Sequence, residues 1–162
     1  MNSNSSLQIH TIGAEPNQVT STVMAFYAAF DRGGIDQFDE VGSGFKAKVF
    51  GDTTLDWADF IAFGQAFCHA FPNGRHLFDC VITEGDCVAT VGRYQGRHER
   101  EFMGVPPTGR EVDFAVFHVD RVKDGLLIEH RGIGDANTMW AQLGVPAPTL
   151  SSFDHIFPES AR

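Results

Sequence analysis

Apolar residues recur at helical spacing in the first half of the chain. They return every three or four positions between Val19 and Phe30, and Gly33-Gly34 ends the pattern. A second helical stripe begins after Thr53 or Thr54, either of which can cap a helix, and runs to about Phe71. The first half therefore predicts two amphipathic helices.

From Arg75 onward the pattern changes to the alternation of apolar and polar residues that is typical of strands. Four strands are predicted, at residues 76–83, 87–99, 114–122 and 126–133. Asp124-Gly125 separates the last two, because both residues tolerate the positive φ angles of a tight hairpin. Helices followed by a meander of strands predict an α+β domain. In such a domain the concave face of a curved antiparallel sheet packs against the helices. Sheet and helices together form a cone that holds a pocket.

Alternation within the last hairpin places candidate catalytic groups on one face of the sheet. His118 shares its face with Phe114 and Val116, and His130 shares its face with Gly132 on the returning strand. Imidazole titrates near neutrality, so it can donate to an oxyanion or shuttle a proton. A histidine bonded to the backbone is the alternative for His118, and an outer charged strip is the alternative for His130.

Composition and charge favour a single domain with a very apolar interior. The chain has 162 residues, with 15 Phe but only two Tyr and two Trp. A net charge of −9 argues against nucleic acid and against anionic membrane surfaces as partners. Three cysteines without metal-ligand spacing fit free thiols in a reducing compartment. With no apolar run long enough to span a membrane, we expect a cytoplasmic protein.

The domain is expected to cover residues 15–145. Residues 1–14 are rich in Ser and Asn, and we expect them to be disordered. Residues 146–162 are expected to form a tail that packs on the domain or on a partner subunit.

A set of motifs covers roughly residues 19–144. It consists of FPNGRHLFDCVITEGDCVAT, GRHEREFMG, GVPPTGREV, FHVDRVKDGLLIEHR, and Asp135 followed by QLG. Together these motifs resemble the SnoaL-like polyketide cyclases and ester cyclases of the nuclear-transport-factor-2-like superfamily. The resemblance implies the α+β cone and dimers that form through the outer sheet face. It also implies intramolecular aldol condensation by a carboxylate base, without a metal or organic cofactor.

The resemblance extends unevenly to the family's site residues. His118 matches a pocket histidine that contacts the substrate carbonyl. Val116 stands where the family has a pocket glutamine, and Gly132 stands where the aldol cyclases have their base aspartate. Asp135 matches a second aspartate of the ester-cyclase branch. The resemblance therefore leaves His118 and Asp135 as the candidate catalytic pair.

Asp135 has a second interpretation. It directly precedes the short final helix that Gly144 closes, so it is also a natural N-cap. To act as a base it would need a bulge between Gly132 and Gly134 that turns its carboxylate inward, and glycines permit one. Both roles remain open at this point.

Other residues are candidates for ligand binding. Tyr94 and His98 alternate onto one strand face and could line the mouth of the pocket, or form an ordinary polar pair at a strand end. The aromatic stripe of Trp57, Phe67 and Phe71 belongs to the core, and in a hollow cone it would also line the cavity. The histidines lack the short spacings of metal motifs, so no metal site is predicted.

Two functions are compatible with the sequence. The first is a cofactor-independent cyclase, isomerase or lyase that acts on a small hydrophobic carbonyl or cyclic compound through His118 and Asp135. The alternative is a binding module for such a ligand that has lost the base, as Gly132 indicates. An apolar outer sheet face, which includes Val91 and Phe117, predicts a homodimer in either case.

Overall fold

The computed structural model describes residues 10–12, 17–49 and 53–147. Within these residues the helices are α1 (Gln18–Asp31), α2 (Trp57–Ala70) and α3 (Ala136–Leu143), and a 3₁₀ turn lies at Ile35–Gln37. The strands are β1 (His10–Ile12), β2 (Val41–Lys48), β3 (Arg75–Glu84), β4 (Cys87–Arg97), β5 (Glu111–Lys123) and β6 (Leu126–Gly134).

The six strands form one mixed sheet in the order β1-β3-β4-β5-β6-β2. The four central strands pair antiparallel as a meander, whereas β1 runs parallel to β3 and β2 runs parallel to β6. The predicted α+β class is confirmed. The sheet is mixed rather than wholly antiparallel, because segments from the first half of the chain return to both of its edges.

Helices α1 and α2 pack against one face of this sheet through aromatic side chains. Every second residue of β5 from Val112 to Val122 is buried on that face. Phe26 of α1 stacks on Phe60 of α2, with ring centroids 5.6 Å apart. Helix α3 packs against β5 and adds Trp140, which stacks on Phe102. The core thus lies between the helices and the inner face of the sheet.

The N-cap of α2 differs from the prediction. Thr53 and Thr54 lie before Leu55, whose backbone N–H and C=O both pair with Ala47, so the chain is still extended there. The helix begins at Trp57, and Asp56 before it accepts the capping hydrogen bond from the backbone N–H of Asp59.

The β5–β6 hairpin turns as predicted at Asp124 and Gly125, whose φ angles are +52° and +80°. The pairing of β6 stays regular from Gly132 to Gly134, so the inward bulge that Asp135 would need is not formed. A bulge occurs instead nearer the turn, where the register shifts between Arg121 and Val122.

Part of the expected disordered segment is a strand, since His10–Ile12 pairs with β3. The rest of residues 1–14 and the tail from 148 onward lie outside the described residues. No helix in the described ranges is long and apolar enough to cross a membrane.

Candidate active site

A pocket opens between the helices and the inner face of the sheet. Its wall includes five of the residues predicted from the sequence, which are Phe67, Tyr94, Val116, His118 and His130. The remaining lining residues are Phe26, Tyr27, Phe30, Val49, Phe60, Phe63, His76, Phe114, Gly132, Ile133, Gly134, Ala136 and Met139. Most of this wall is aromatic or aliphatic, and its polar side chains are three histidines and two tyrosines.

One of these histidines, His130, is paired with a buried carboxylate. Asp120 is fully buried, and its two oxygens accept from the Tyr27 hydroxyl at 2.6 Å and from Nδ1 of His130 at 2.7 Å. Burial and the adjacent Asp120 carboxylate raise the pKa of Tyr27 well above its usual value. Tyr27 therefore stays protonated and donates to Asp120.

The hydrogen bond to Asp120 fixes which nitrogen of His130 faces the pocket. A carboxylate only accepts, so this hydrogen bond places a proton on Nδ1 of His130 and leaves Nε2 directed away from Asp120. Nε2 lies beside Gly132, where an added Cβ atom would be 3.2 Å from it. His130 thus presents Nε2 at the position where the resemblance places the family's base.

His118 lies next to this pair on β5. Its ring stacks on His130 with centroids 5.5 Å apart, and its Nδ1 is 3.1 Å from the Thr90 hydroxyl. Burial, and after it the neighbouring His130 and His76, lower the pKa of His118 to about 2. His118 is therefore a neutral imidazole that can exchange hydrogen bonds but carries no charge.

The third histidine, His76 on β3, forms another histidine–carboxylate pair. Asp31, the last residue of α1, accepts from Nδ1 of His76 at 2.6 Å and from its backbone N–H at 2.9 Å. The His76 ring lies 5.4 Å from that of His118. His118 thus stands between two imidazoles, each of which is held by an aspartate.

This cluster of histidines does not have the arrangement of a metal centre. Each Nδ1 already has a partner, namely Thr90, Asp120 or Asp31. In the part of the chain that the structure describes, no group of three or more His, Cys, Asp or Glu side chains is placed to hold a metal ion.

Asp135 lies outside the pocket, on the protein surface. Its carboxylate caps α3 by accepting from the backbone N–H and the hydroxyl of Thr138, at 3.0 and 2.6 Å. These two hydrogen bonds lower the pKa of Asp135. Both oxygens of the exposed carboxylate are thus engaged by Thr138, which is the arrangement expected of the helix cap.

Two of the expected ligand-binding residues, Trp57 and Phe71, lie behind the pocket wall. Trp57 packs on Phe45 and Phe60, and Phe71 packs behind Phe67. These two rings support lining residues and do not reach the cavity themselves.

His98 is also displaced from its expected position, because β4 ends at Arg97 and the alternation stops there. Its buried ring packs on Phe71 at a tilted angle, and its Nδ1 accepts from the backbone N–H of Thr108 at 3.3 Å. Burial lowers the pKa of His98. His98 thus holds the Pro106–Gly109 loop in place.

The carboxylates and His76 were missed at the sequence level, although a signal existed for Asp120. Alternation from Phe114 places Asp120 on the buried face, and a charged residue there needs a partner. No comparable signal marks His76 and Asp31, because their pairing depends on how α1 packs across β3.

Comparisons with known proteins agree with this architecture. The family model described as SnoaL-like polyketide cyclase matches residues 21–143. The aklanonic acid methyl ester cyclase DnrD of Streptomyces peucetius is 34% identical over 82 residues, which cover 50% of this chain and 57% of that protein. The match thus spans little more than half the length of this relative.

Solved structures give the same result for the fold. IdmH of Streptomyces antibioticus, a candidate polyketide cyclase, is 33% identical with a TM-score of 0.70, and the match covers 80% of this chain and all of IdmH. A SnoaL-like protein from Jannaschia is 24% identical with a TM-score of 0.75, and the match covers 83% of this chain and 99% of that one. From the family model and the fold together, the chain belongs to the SnoaL-like polyketide cyclase family.

Proposed function

We propose that this protein is a cofactor-independent cyclase-type enzyme that removes a proton from a carbon atom next to a carbonyl group. The observation that carries the proposal is the fully buried Asp120, whose carboxylate orients His130 at the pocket wall. In the proposed mechanism the Asp120–His130 pair takes the place of the carboxylate base that Gly132 cannot supply.

The energetic cost of burying Asp120 supports a catalytic role over simple binding. A carboxylate removed from water is strongly unfavourable unless it is paired and hydrogen-bonded. A pocket that only holds an apolar ligand gains nothing from such a group, whereas a base needs a partner that stabilises the imidazolium it forms. The Tyr27 hydroxyl satisfies the second carboxylate oxygen and keeps the site intact.

In the proposed reaction, Nε2 of His130 takes the proton from carbon, and the C–H electron pair moves into the enolate. In this mechanism the Thr90 hydroxyl, 3.1 Å from Nδ1 of His118, is the donor of that hydrogen bond, which leaves the proton of the neutral His118 ring on Nε2. This N–H donates to the enolate oxygen and so stabilises the charge that develops there. The enolate carbon then attacks a second carbonyl carbon of the same molecule and closes a ring.

The substrate class follows from the wall of the pocket. The lining is dominated by Phe side chains, so the ligand is largely apolar and carries at least two carbonyl groups near the histidines. The curated relatives act, by their names, on aklanonic acid methyl ester. We propose an aromatic polyketide ester of this kind, or a smaller ring compound with the same carbonyl pattern, as the substrate.

Asp120→Asn tests the proposal in a cyclisation assay with aklanonic acid methyl ester. The Asn amide can donate to Nδ1 of His130, which would place the ring proton on Nε2 and remove the base. We expect the rate to fall by about 10²–10⁴-fold. The matched control is Asp86→Asn, which changes an exposed carboxylate in the β3–β4 turn. Equal rates for wild type and Asp120→Asn would contradict the proposal.

The binding module remains the second candidate, and Gly132 is the observation that favours it. Direct titration of the same ester, followed by tryptophan fluorescence, separates the two. Tight binding without any turnover by the wild-type protein would establish the module and rule out the enzyme.

A further inference from the structure

The pair formed by His76 and Asp31 has no part in the mechanism above. His76 lines the pocket, and Asp31 fixes it with two hydrogen bonds, one to the ring and one to the backbone. The backbone bond fixes the strand position of His76, and the ring bond sets the orientation of its imidazole. The second bond, at 2.6 Å to Nδ1, orients the ring so that Nε2 is the nitrogen without a partner among the described residues.

The surroundings of His76 differ from those of His130 in their access to water. The side chain of Asp31 is 22% exposed, whereas that of Asp120 is 0% exposed. The titratable groups that face His76 are Tyr27 of α1, Tyr94 of β4 and His118 of β5, in addition to Asp31. Asp31 is the one carboxylate in this set, and it can serve as the counter-ion of an imidazolium that exchanges protons with solvent.

We propose that His76, held by Asp31 and protonated on both ring nitrogens, is the general acid that protonates the oxygen formed when the ring closes. This inference rests on the proposed function and assigns the second half of that reaction. His130 and His76 lie on either side of His118, so a ligand whose enolate oxygen reaches His118 can place its two reacting carbonyl groups toward the two outer histidines.

Every proton and electron pair of the complete reaction can be followed. The carbon-bound proton goes to His130, and the enolate electron pair forms the new C–C bond. The π electrons of the attacked carbonyl group move to its oxygen, which takes a proton from His76. One proton then leaves His130 for solvent, and one enters at His76 beside the exposed edge of Asp31. The product is an isomer of the substrate, so no oxidant or reductant is required.

The two half-reactions can be measured separately with ortho-(3-oxobutyl)benzaldehyde, an aryl keto-aldehyde that can close by an intramolecular aldol step. In D₂O, exchange of the protons next to the ketone reports on the base alone, and formation of the cyclic alcohol reports on both groups. For His76→Asn and Asp31→Asn we expect exchange within about twofold of wild type and ring closure lowered by about 10²-fold or more. His69→Asn is the control, because His69 is an exposed histidine of α2.

Each outcome decides one of the claims. Exchange and closure lowered equally in both variants, with unchanged thermal unfolding, would overturn the role of His76 as a separate acid. An unchanged rate of ring closure in both variants would also overturn that role. If the wild-type protein accelerates neither step, the proposed function itself fails, and the inference fails with it. Asp31→Asn keeps the hydrogen bond to the His76 backbone, so it provides the test even if His76→Asn does not fold.

Discussion

A buried imidazole keeps or loses its proton according to the groups around it, and His118 is the clearest case in this protein. Its folded-state pKa of about 2 lies far below that of a histidine in an unfolded chain, about 6.5. Between these values the unfolded state binds a proton that the folded state does not. Stability therefore rises with pH across this window and is lost as the pH falls below about 6.5.

This difference predicts how a variant should behave. We expect His118→Asn to flatten the pH dependence of the free energy of unfolding between about pH 6 and pH 4, by up to about 1.4 kcal/mol per pH unit. Urea unfolding at several pH values measures it, and His69→Asn is the exposed control. A slope equal to that of wild type would show that His118 is protonated in the folded state.

The role of Asp135 is also set by single contacts, namely its two hydrogen bonds to Thr138. Asn caps a helix about as well as Asp, so Asp135→Asn should change neither turnover nor stability appreciably, whereas Asp135→Ala should cost about 1 kcal/mol. Thermal unfolding and the cyclisation assay check both parts. A loss of turnover in Asp135→Asn at unchanged stability would return Asp135 to the mechanism.

At the scale of elements, Gly92 on β4 allows β3 to bulge toward it. An added Cβ at Gly92 would lie 2.1 Å from the carbonyl oxygen of Leu77, next to the register shift between Phe78 and Cys80. Because this neighbour is backbone, the strands must separate to relieve the contact. We expect Gly92→Ala to destabilise the protein by about 2 kcal/mol or more in urea unfolding.

The control for this prediction is Gly34→Ala, because the nearest atoms to its added Cβ belong to the flexible side chain of Arg32. Equal free energies of unfolding for Gly92→Ala and Gly34→Ala would contradict the close approach of β3 and β4 at Gly92.

The elements also show what could be predicted from the sequence. The β5–β6 hairpin was predictable because Asp124-Gly125 and the alternation around His118 are local signals. The parallel pairing of β2 with β6 was not, because it joins segments far apart in the chain. The partner of Asp120 was hidden for a different reason: the bulge at Arg121 and Val122 sets the register that brings Asp120 opposite His130.

For the whole molecule, the outer face of the sheet is the surface that most needs a partner. Phe117, Val119 and Ile133 are 51%, 48% and 73% exposed on neighbouring strands. Apolar side chains grouped in this way are rarely left in water. The prediction of a homodimer through this face therefore stands as a proposal that the surface of the subunit supports.

Phe117→Glu tests that proposal, because it places a charge in the middle of the face. We expect wild type to have a dimer mass by light scattering at micromolar concentration, and Phe117→Glu to have a monomer mass with its circular dichroism spectrum retained. Glu84→Gln, at an exposed end of β3, is the control. A wild-type monomer would contradict the proposal.

The central claim is that Asp120 holds His130 with a basic nitrogen toward the pocket. Long-range ¹H–¹⁵N NMR of the imidazole rings at neutral pH tests it most directly, because it reports which ring nitrogens carry protons. We predict that His130 has a protonated Nδ1 and an unprotonated Nε2, and that Asp120→Asn moves the proton to Nε2. A wild-type His130 that is protonated on Nε2, alone or together with Nδ1, would contradict the account.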